Sequence, residues 1–543
     1  MKVLFVTTEH PELQYGGLGS FTRDFVLAMK EYAEIRVLYL HYSESPPPLV
    51  QSKVSSVDYI LKPNWRFPAQ SIEASIIENS ASLFAQSVPI LQEFQSDIIH
   101  TNDRLSYLPF RFQNNTIFSS HLLFTDMLGT QALNDVYFQE LKIERMALEN
   151  AALVIVYSAF AQKRAWEGLT VNTQPIVLPL GFFPNHFSPK KIPGRVRIAF
   201  FGRIDSLQKG FFEAIKAIRL LGQDFRTKHC LEFSVYGRGE IPTDFYDVVD
   251  THEFLSGEEL TKAFARTDIV LMPSRYEPFG LVGLEALASG CILLYTPGLG
   301  MDEYTIPEIN ALPVMPNALE ISNELKKVIE NLDHYQKTLG ETASISVQNW
   351  NWERSAKSHF YLFHEWLQNG TKRIDLAYSK EYSLIFDKLN KNHNYQQTIL
   401  EDLCLRTLDS NGNSCLIHGF SIDINFLTSQ WDSVISIWER NLSTGLVPKL
   451  EWLPYPDSFF TEVIIILAWE MVVFPKEALI ELIRITSSKV TIYYWTGELL
   501  PWQVTQMEKQ EDWHHLMSQY TILHTSITKS KWKIVQYQKE GKE

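Results

Sequence analysis

Short, continuously apolar segments alternate with amphipathic segments from the first residues of the chain onward. Strands that are buried on both faces show such uninterrupted apolar runs, whereas half-exposed strands alternate apolar and polar residues. Between the first two apolar segments, Phe21, Phe25 and Met29 fall on one face of a predicted helix. This β-α-β pattern predicts a doubly wound parallel sheet. Its strand candidates are VLFVT (3–7), IRVLYL (35–40), DIIH (97–100), TIFSS (116–120) and ALVIVYS (152–158).

The same alternation restarts after a loop at residues 179–195 and predicts a second doubly wound domain. Two such sheets in tandem leave a cleft that faces the carboxyl ends of both sets of strands, where ligands usually bind in these folds. The strand candidates of the second domain are VRIAFFG (196–202), LEFSVYG (231–237), DIVLMPS (268–274) and CILLYT (291–296).

The remainder of the chain predicts a long helix, a polar helical linker and a third α/β block that starts near Ser414. The predicted fold class is therefore α/β, with two doubly wound Rossmann-like domains followed by a C-terminal α/β domain. The predicted boundaries are 1–188 for the first domain, 189–340 for the second, 341–370 for a helix that returns to the first domain, 371–410 for the linker and 411–543 for the third domain.

Composition excludes several classes of protein. A chain of 543 residues exceeds what one hydrophobic core supports, so several domains are expected. The formal net charge of −14 argues against general binding to the phosphate backbone of nucleic acids. The four cysteines show no CxxC spacing, which argues against a zinc knuckle or a disulfide framework and favours a reducing compartment.

The chain shows no pattern that predicts a secretory or membrane-spanning segment. The start, MKVLFVTTEHPE, has too few apolar residues before Glu9 for a signal peptide. The most apolar later run, VIIILAWEMVVF (463–474), is short for a membrane span and contains Glu470. We therefore predict a cytoplasmic protein without a stable membrane anchor.

A glycine-rich turn, YGGLGSF (15–21), separates the first strand from the first helix. Gly16 and Gly17 would let an anion approach the N-terminus of that helix closely. The alternative is that the glycines serve only the packing of the helix on the sheet. The turn by itself leaves both interpretations open.

A second loop, FFGRIDSLQKGFFEAI (200–215), carries Arg203 and Lys209 beside Gly202. The loop leaves a buried strand and precedes a new helix. A guanidinium fork and an ammonium group on such a loop suit a diphosphate. The alternative is a pair of solvated cations, which is the usual state of lysine and arginine.

Two glutamates lie eight positions apart in RYEPFGLVGLEALASG (275–290). Glu277 is predicted at a strand-to-helix turn, where backbone N–H groups are exposed. Glu285 follows on the helix among apolar residues, where an unpaired charge is costly. Both carboxylates are well placed to accept hydroxyl groups from a sugar and a ribose, although an ordinary exposed helix position is the alternative for Glu285.

Polar residues also end two strands of the first domain. His100 and Asp103 follow one strand and His121 follows the next, so we expect all three to face the cleft. A histidine at a strand end is often only a hydrogen-bonded spacer. His121 gains a functional interpretation if the opposite domain binds a donor.

Taken together, these motifs resemble the retaining glycosyltransferases of family 4, which have the GT-B fold. The resemblance covers about residues 1–368 and follows the family's order along the chain. It rests on GGLGS, the strand-end His121, the GR and KG motifs at 202–210, EPFGLVGLE and the late WNWERSA helix.

The resemblance implies roles for these positions. Arg203 and Lys209 would hold the donor diphosphate, Glu277 would contact hydroxyls of the donor sugar, and Glu285 would contact the ribose. His121 would lie near the reacting sugar. The remaining donor-binding positions that the resemblance implies are Gly16, Gly17, Gly202, Phe279, Gly280 and Leu281.

The reaction that the resemblance implies is same-face attack, in which the leaving phosphate oxygen takes the acceptor proton. No metal is then required. A UDP-, GDP- or ADP-sugar would be the co-substrate, with no tightly bound cofactor. A glycan or glycolipid would be the acceptor, with no nucleic acid partner and at most transient membrane contact.

Two segments depart from the family's pattern. Family members commonly have Asn-Gly followed by an acidic residue where this chain has PLGFF (179–183), so Leu180 and Phe183 replace polar groups. The double glycine and glutamate that usually follow the helix are represented only by GLGMDEY (298–304).

The C-terminal block resembles the second half of a class I methyltransferase, with a turn at LPYPDSFFTEV (453–463) leading into a strand. A binding loop for S-adenosylmethionine would need several glycines, but the corresponding stretch contains Gly419 alone, and Glu439 is the remaining candidate for the ribose ligand. We therefore predict a degenerate domain that does not methylate. The alternatives are a bifunctional glycosyl- and methyltransferase and a non-catalytic GT-B binding scaffold.

Overall fold

The computed structural model describes most of the two predicted doubly wound domains and the strands of the C-terminal block. The chain divides into two compact units, Met1–Thr170 with Pro175–Gln368 and Val171–Gln174 with Asn369–Glu543. The predicted linker at 371–410 lies outside the described residues. The described residues are 1–10, 17–41, 57–61, 72–124, 135–166, 175–178, 180–182, 194–204, 207–253, 255, 257–348, 350–369, 414–418, 434–436, 460–466, 481–495, 520–527 and 532–539.

The first unit contains two parallel sheets, and we call the part up to residue 182 its first half and the part from residue 194 to residue 348 its second half. The sheet of the first half has the strand order β3-β2-β1-β4-β5-β6-β7. Its strands are β1 (Lys2–Thr7), β2 (Glu34–His41), β3 (Val57–Leu61), β4 (Ile98–Thr101), β5 (Thr116–Ser119), β6 (Leu153–Val156) and β7 (Ile176–Val177). All of the described pairings in this sheet are parallel.

The sheet of the second half has the order β10-β9-β8-β11-β12-β13, again with parallel pairings. Its strands are β8 (Val196–Phe201), β9 (Leu231–Tyr236), β10 (Asp250–His252), β11 (Ile269–Met272), β12 (Ile292–Tyr295) and β13 (Leu312–Pro313). The predicted α/β class with parallel, Rossmann-like sheets is thus confirmed for this unit.

Helices connect the strands of both sheets. The α-helices are α1 (Gly17–Met29), α2 (Ile72–Phe94), α3 (Arg104–Tyr107), α4 (Asp135–Asn150), α5 (Ala159–Trp166), α6 (Phe211–Leu220), α7 (Gln223–Lys228), α8 (Gly257–Ala265), α9 (Leu281–Ala288), α10 (Ala318–Glu330), α11 (Leu332–Tyr335), α12 (Glu341–Ser346) and α13 (Trp352–Asn369). As the apolar spacing predicts, Phe21, Phe25 and Met29 form the fully buried face of α1. They pack on the apolar strand β1, where Phe5 lies 5.7 Å from Phe25 between ring centroids.

The predicted single helix over 341–368 is wrong, because the chain leaves helical conformation between α12 and α13. Residues 350–351 pair instead with a crossing segment: the N–H of Phe182 donates to the carbonyl of Trp350 at 3.0 Å. Asn351 then accepts the N–H of Arg354 through its side-chain oxygen at 2.9 Å, and α13 begins. After this pairing, α13 packs on the first half, where the ring of His359 lies 4.7 Å from that of Phe25.

The second unit is built around one sheet with the order β15-β14-β16-β17-β19-β18. Its strands are β14 (Ser414–His418), β15 (Val434–Ser436), β16 (Phe460–Ile466), β17 (Thr486–Trp495), β18 (Tyr520–Ile527) and β19 (Trp532–Lys539). The first four strands pair in parallel, whereas β19 runs antiparallel to both of its neighbours. Val463, Ile464 and Val490 form part of its buried core.

Candidate active site

The strand order reverses at one point in each sheet of the first unit, and both points open onto one cavity. In the first half the reversal lies between β1 and β4, and in the second half it lies between β8 and β11. In open α/β sheets, ligands bind in the crevice at such a reversal, beyond the carboxyl ends of the strands. The shared cavity has a volume of about 670 Å³ and is lined by residues that follow all four of these strands.

The second half contributes cations to the wall of this cavity. Arg203 follows β8, and Lys209 ends a short 3₁₀ turn, Leu207–Lys209, before α6. The buried side chain of Gln208 connects them to the opposite loop, since it lies 3.4 Å from the Arg203 guanidinium and donates to the Tyr276 carbonyl at 3.1 Å. Predicted phosphate-binding residues are thus brought together with Gly202 on one wall.

A glycine is required directly after Lys209. Gly210 has φ of +68°, and a Cβ atom added there would lie 1.9 Å from the carbonyl oxygen of Pro273. The loop after β8 can therefore pass close to the strand-end segment after β11 only because this position has no side chain. This close approach sets Lys209 beside Glu277.

Glu277 lies in the turn after β11 and is 5% exposed. Its Oε2 atom lies 2.6 Å from the Lys209 ammonium and 3.4 Å from the Ser274 hydroxyl. The next residue, Pro278, accepts a hydrogen bond from the Ser158 hydroxyl of the first half at 2.5 Å. The carboxylate of Glu277 is therefore held by its own half, while the backbone of the turn is held by both halves, since the Gly300 N–H also donates to the Glu277 carbonyl at 2.8 Å.

The turn ends at Gly280, which precedes α9 and has φ of +86°. A Cβ atom there would lie 2.9 Å from the Met301 side chain, so only glycine fits without displacement. No side chain caps α9, and the first N–H groups of a helix have no partner within the helix. Phe279, Gly280 and Leu281 accordingly line the cavity with their backbone at a helix start.

The first half contributes Gly17 and His121 to the opposite wall. Gly17 begins α1, and no described atom lies within 4 Å of a Cβ atom added there. Gly16 lies outside the described residues. No described residue therefore fills the space beside Gly17 at the N-terminus of α1.

His121 follows β5 and packs 4.2 Å from the ring of Phe21 and 4.5 Å from the ring of Tyr157. Burial, and to a lesser degree the nearby His359, lowers the pKa of His121 to about 3, so the imidazole is neutral at ordinary pH. Its Nε2 atom is buried and has no hydrogen-bond partner among the described residues. A neutral ring with one unused polar atom can exchange a hydrogen bond with a hydroxyl group of a ligand.

Residues 183–344, which make up most of the second half, match the model of the family described as Glycosyl transferases group 1. The chain contains a glycosyl transferases group 1 domain. An uncharacterized glycosyltransferase of Methanocaldococcus jannaschii is 27% identical over 166 residues, which cover 30% of this chain and 42% of that protein. The chain spans about half the length of curated relatives such as this one.

Solved structures support the GT-B fold of the glycosyltransferase domain and the half that precedes it. Sucrose-phosphate synthase from Thermosynechococcus elongatus superimposes with a TM-score of 0.56 at 20% identity, over 68% of this chain and 99% of that chain. Anabaena HepE, solved in complex with UDP and glucose, superimposes with a TM-score of 0.51 at 16% identity, over 67% of this chain and 100% of that chain.

Glu285 of the glycosyltransferase domain does not join the other predicted residues. It is half-buried on α9 and is not among the described residues that line the cavity. The pKa of Glu285 is raised to about 8, mainly by burial and also by the carboxylate of Asp24 on α1, while Arg23 opposes the change. The side chain thus lies close to α1 rather than in the cavity wall, so the cavity lining does not support the predicted ribose contact.

His100 also departs from the expectation that it faces the cleft. It is fully buried in the core of the first half, with its Nε2 atom 2.6 Å from the Ser119 hydroxyl. Side chains alternate between the faces of a strand, and His100 points into the layer beneath α13, 5.5 Å from the ring of Phe363. Asp103 does line the cavity and caps α3, accepting the N–H of Leu105 at 2.7 Å.

Sequence reasoning missed several polar residues that line the cavity, namely Glu9, Ser120, Glu144 and Arg238. Glu9, Ser120 and Arg238 closely follow β1, β5 and β9, so the strand-end argument could have found them. Glu144 lies in the middle of α4, and the sequence gives no signal for it. At the departure from the family's pattern, Leu180 lines the cavity as a buried apolar side chain, and Phe183 lies outside the described residues.

The part of the chain that the structure describes holds no group of three or more His, Cys, Asp or Glu side chains arranged to bind a metal ion. Within the same residues, no helix is long and apolar enough to cross a membrane.

Proposed function

We propose that the chain is a retaining glycosyltransferase that uses a UDP-, GDP- or ADP-sugar as donor. The acceptor is a glycan, a lipid-linked sugar or a related molecule in the synthesis of a surface polysaccharide or glycoconjugate. One observation carries this proposal: Arg203, Lys209 and Glu277 meet in one wall of a cavity formed where both sheets reverse their strand order. The UDP bound by the structurally similar HepE supports a nucleotide donor.

In the proposed reaction, the bond between the anomeric carbon of the donor sugar and the diphosphate oxygen breaks. A bond from the acceptor oxygen to that carbon forms on the same face, and the acceptor proton passes to the leaving phosphate oxygen. Arg203 and Lys209 stabilise the negative charge that grows on the diphosphate. The backbone N–H groups of Phe279, Gly280 and Leu281 face the phosphates or the sugar.

Glu277 binds hydroxyl groups of the donor sugar in this proposal. Lys209 is paired with Glu277 at 2.6 Å, and in this proposal part of that contact is exchanged for the diphosphate when the donor binds. His121 donates or accepts one hydrogen bond near the reacting sugar without adding charge, since its pKa of about 3 keeps it neutral. Gly16 and Gly17 let the donor approach the N-terminus of α1.

A thermal-shift titration of the whole chain with UDP, GDP, ADP and their common sugar conjugates tests the proposal. A ligand that binds the native state raises the melting temperature by mass action. We expect a shift with one nucleotide sugar and its loss in Arg203→Ala. The matched control is Arg275→Ala, since Arg275 pairs with Glu213 and is not part of the cavity lining. No shift with any nucleotide would instead favour a non-catalytic binding scaffold.

For the second unit we propose a degenerate methyltransferase-like domain that orients acceptors or mediates assembly. The reversal of strand order beside β14 supports the resemblance, since a ligand loop would start at the carboxyl end of that strand. Gly419 and Glu439, on which the prediction of a lost cofactor site rests, lie outside the described residues. We expect no saturable binding when S-adenosylmethionine is titrated into the whole chain by calorimetry; binding in the micromolar range would favour a bifunctional enzyme.

A further inference from the structure

The charged side chains in the cavity wall are divided by sign between the two halves of the first unit. Among the described lining residues, the second half supplies three cations and one carboxylate, which are Arg203, Lys209, Arg238 and Glu277. The first half supplies three carboxylates and one guanidinium, which are Glu9, Asp103, Glu144 and Arg104. A polyanionic donor therefore meets an attractive wall on one side only. Among the described lining residues of the other wall, carboxylates outnumber cations three to one.

The carboxylates of the first half are fixed in position by the fold. Glu144 is 2% exposed and accepts the N–H of Phe124 at 2.5 Å. Glu9 accepts the N–H of Gly19 in the first turn of α1 at 2.8 Å. These hydrogen bonds fix the positions of both carboxyl groups in the wall.

The other two charged side chains of this wall, Asp103 and Arg104, are also held by the fold. Asp103 accepts the Thr8 hydroxyl at 2.7 Å in addition to capping α3. The guanidinium of Arg104 pairs with Glu140 and lies 4.2 Å from the centroid of the Phe124 ring. Its positive charge is thus largely offset by a carboxylate that does not line the cavity.

Unused hydrogen-bonding atoms lie in the same wall. Ser120 is 4% exposed and lines the cavity, and its hydroxyl has no hydrogen-bond partner among the described residues. The Nε2 atom of His121, the next residue, is likewise buried and without a described partner. Buried polar groups are nearly always paired in proteins, so this pair indicates a ligand that brings hydrogen-bonding groups of its own. Both atoms are uncharged and suit a sugar hydroxyl.

We propose that this wall binds an acceptor sugar that is neutral or carries an amino group, and that it rejects sugars with a phosphate or carboxylate next to the reacting hydroxyl. The proposal rests on the proposed glycosyltransferase function and names the chemical class of its acceptor. Ser120 and His121 bind hydroxyl groups of the acceptor, and the carboxylates repel an anionic substituent. The proton of the reacting hydroxyl still leaves on the diphosphate oxygen, so the carboxylates act on specificity.

The test is an array of mono- and disaccharide acceptors, grouped as neutral, amino-substituted, uronic and phosphorylated members with otherwise matched structures. The whole chain is incubated with UDP-glucose, GDP-mannose or ADP-glucose, and nucleotide release above the rate without acceptor is measured. We expect kcat/KM for neutral or amino members to exceed that of their anionic counterparts at least tenfold, with the ratio falling as salt screens the charges. An anionic member used as well as its neutral counterpart overturns the proposal.

Glu9→Gln provides the matched perturbation, because the amide oxygen can still accept the Gly19 N–H. We expect this variant to improve the use of anionic acceptors about tenfold relative to neutral ones. Glu144→Gln gives a second test at a buried position. The control is Glu149→Gln, which removes the same charge from α4 at a residue paired with Arg145 and outside the cavity lining. An unchanged acceptor ratio in both cavity variants also overturns the proposal.

Nucleotide binding separates the failure of this proposal from that of the proposed function. Calorimetry with UDP, GDP and ADP reports on donor binding and does not depend on the acceptor. Nucleotide binding together with preferred anionic acceptors overturns the acceptor class and leaves the glycosyltransferase proposal standing. Absence of nucleotide binding overturns both.

Discussion

The ion pair between Lys209 and Glu277 should contribute to stability as well as to donor binding. The Nζ–Oε2 distance is 2.6 Å, and the side chains are 25% and 7% exposed. Lys209→Met keeps an unbranched apolar chain of similar length but leaves the Glu277 carboxylate buried without its cation. We therefore expect this variant to lose stability in addition to losing transfer activity.

Removing one partner of a fully buried ion pair typically costs about 3–5 kcal/mol, because the remaining charge stays in a poorly solvated site. Water reaches a quarter of the Lys209 side chain, which weakens the pair, so we expect a loss of about 2–3 kcal/mol for Lys209→Met. Glu277→Gln should cost only about 1 kcal/mol, since the freed ammonium can turn toward water.

The combined Lys209→Met and Glu277→Gln variant tests whether the unpaired Glu277 carboxylate causes the loss of stability in Lys209→Met. It leaves no buried charge at the site, so it should be more stable than Lys209→Met alone by about 1–2 kcal/mol. All three variants should fail to transfer sugar, although their free energies of unfolding should differ. Urea unfolding of the four proteins gives the free energies, compared within the same transition because a chain of two units does not unfold in one step.

An exposed pair supplies the control for these measurements. Lys327 lies 3.0 Å from Glu324 on α10 and is 53% exposed, so Lys327→Met should change the free energy of unfolding by less than about 0.5 kcal/mol. If the combined variant is no more stable than Lys209→Met, an unpaired buried carboxylate is not the cause of the loss and the reasoning fails.

Two further predictions concern Gly17 on α1 and His359 on α13. Gly17→Ala should leave the melting temperature unchanged, since no described atom lies near the added Cβ. It should weaken the binding of nucleotide sugars, measured by calorimetry, and undiminished binding would contradict a donor contact at Gly17. Burial lowers the pKa of His359 from 6.5 to about 4. Below pH 6.5 the unfolded chain therefore binds a proton at this histidine while the folded protein keeps it neutral, so stability falls as the pH falls. Between pH 7 and 5 this amounts to about 2 kcal/mol, which His359→Leu should abolish in urea titrations at both pH values; equal pH dependence in the variant would refute it.

Buried strands could be predicted from the sequence to within a residue or two, because their burial on both faces produces the apolar runs. Strand β8 was expected at 196–202 and is Val196–Phe201, and β12 was expected at 291–296 and is Ile292–Tyr295. Four strands, β3, β7, β10 and β13, have no such signal. The last three contain only two or three residues and are defined by backbone pairing, and the residues of β10 are exposed at the edge of its sheet.

The candidate site was predictable where it depends on position along a strand, and unpredictable where it depends on which way a side chain points. Arg203, Lys209 and Glu277 follow strand ends at a reversal of the sheet, so topology alone brings them together. Glu285 lies on a helix, and the rotation of α9 against its neighbours decides which of its faces meets the cavity. The helix break before Trp352 was also unpredictable, because it arises where the backbone pairs with a crossing segment that is distant in the sequence.

The two halves of the first unit share control of the turn that carries Glu277. On one side of that residue, the Tyr276 hydroxyl accepts the N–H of Leu123 at 3.3 Å, and on the other side Ser158 donates to the Pro278 carbonyl at 2.5 Å. Both contacts come from the half that carries the proposed acceptor wall, whereas Lys209 comes from the other half. Any separation of the halves must therefore break both contacts, whereas the Lys209 ammonium and the Gly300 N–H, which donates to the Glu277 carbonyl at 2.8 Å, stay with the turn. The geometry of the proposed donor site thus depends on contacts from both halves.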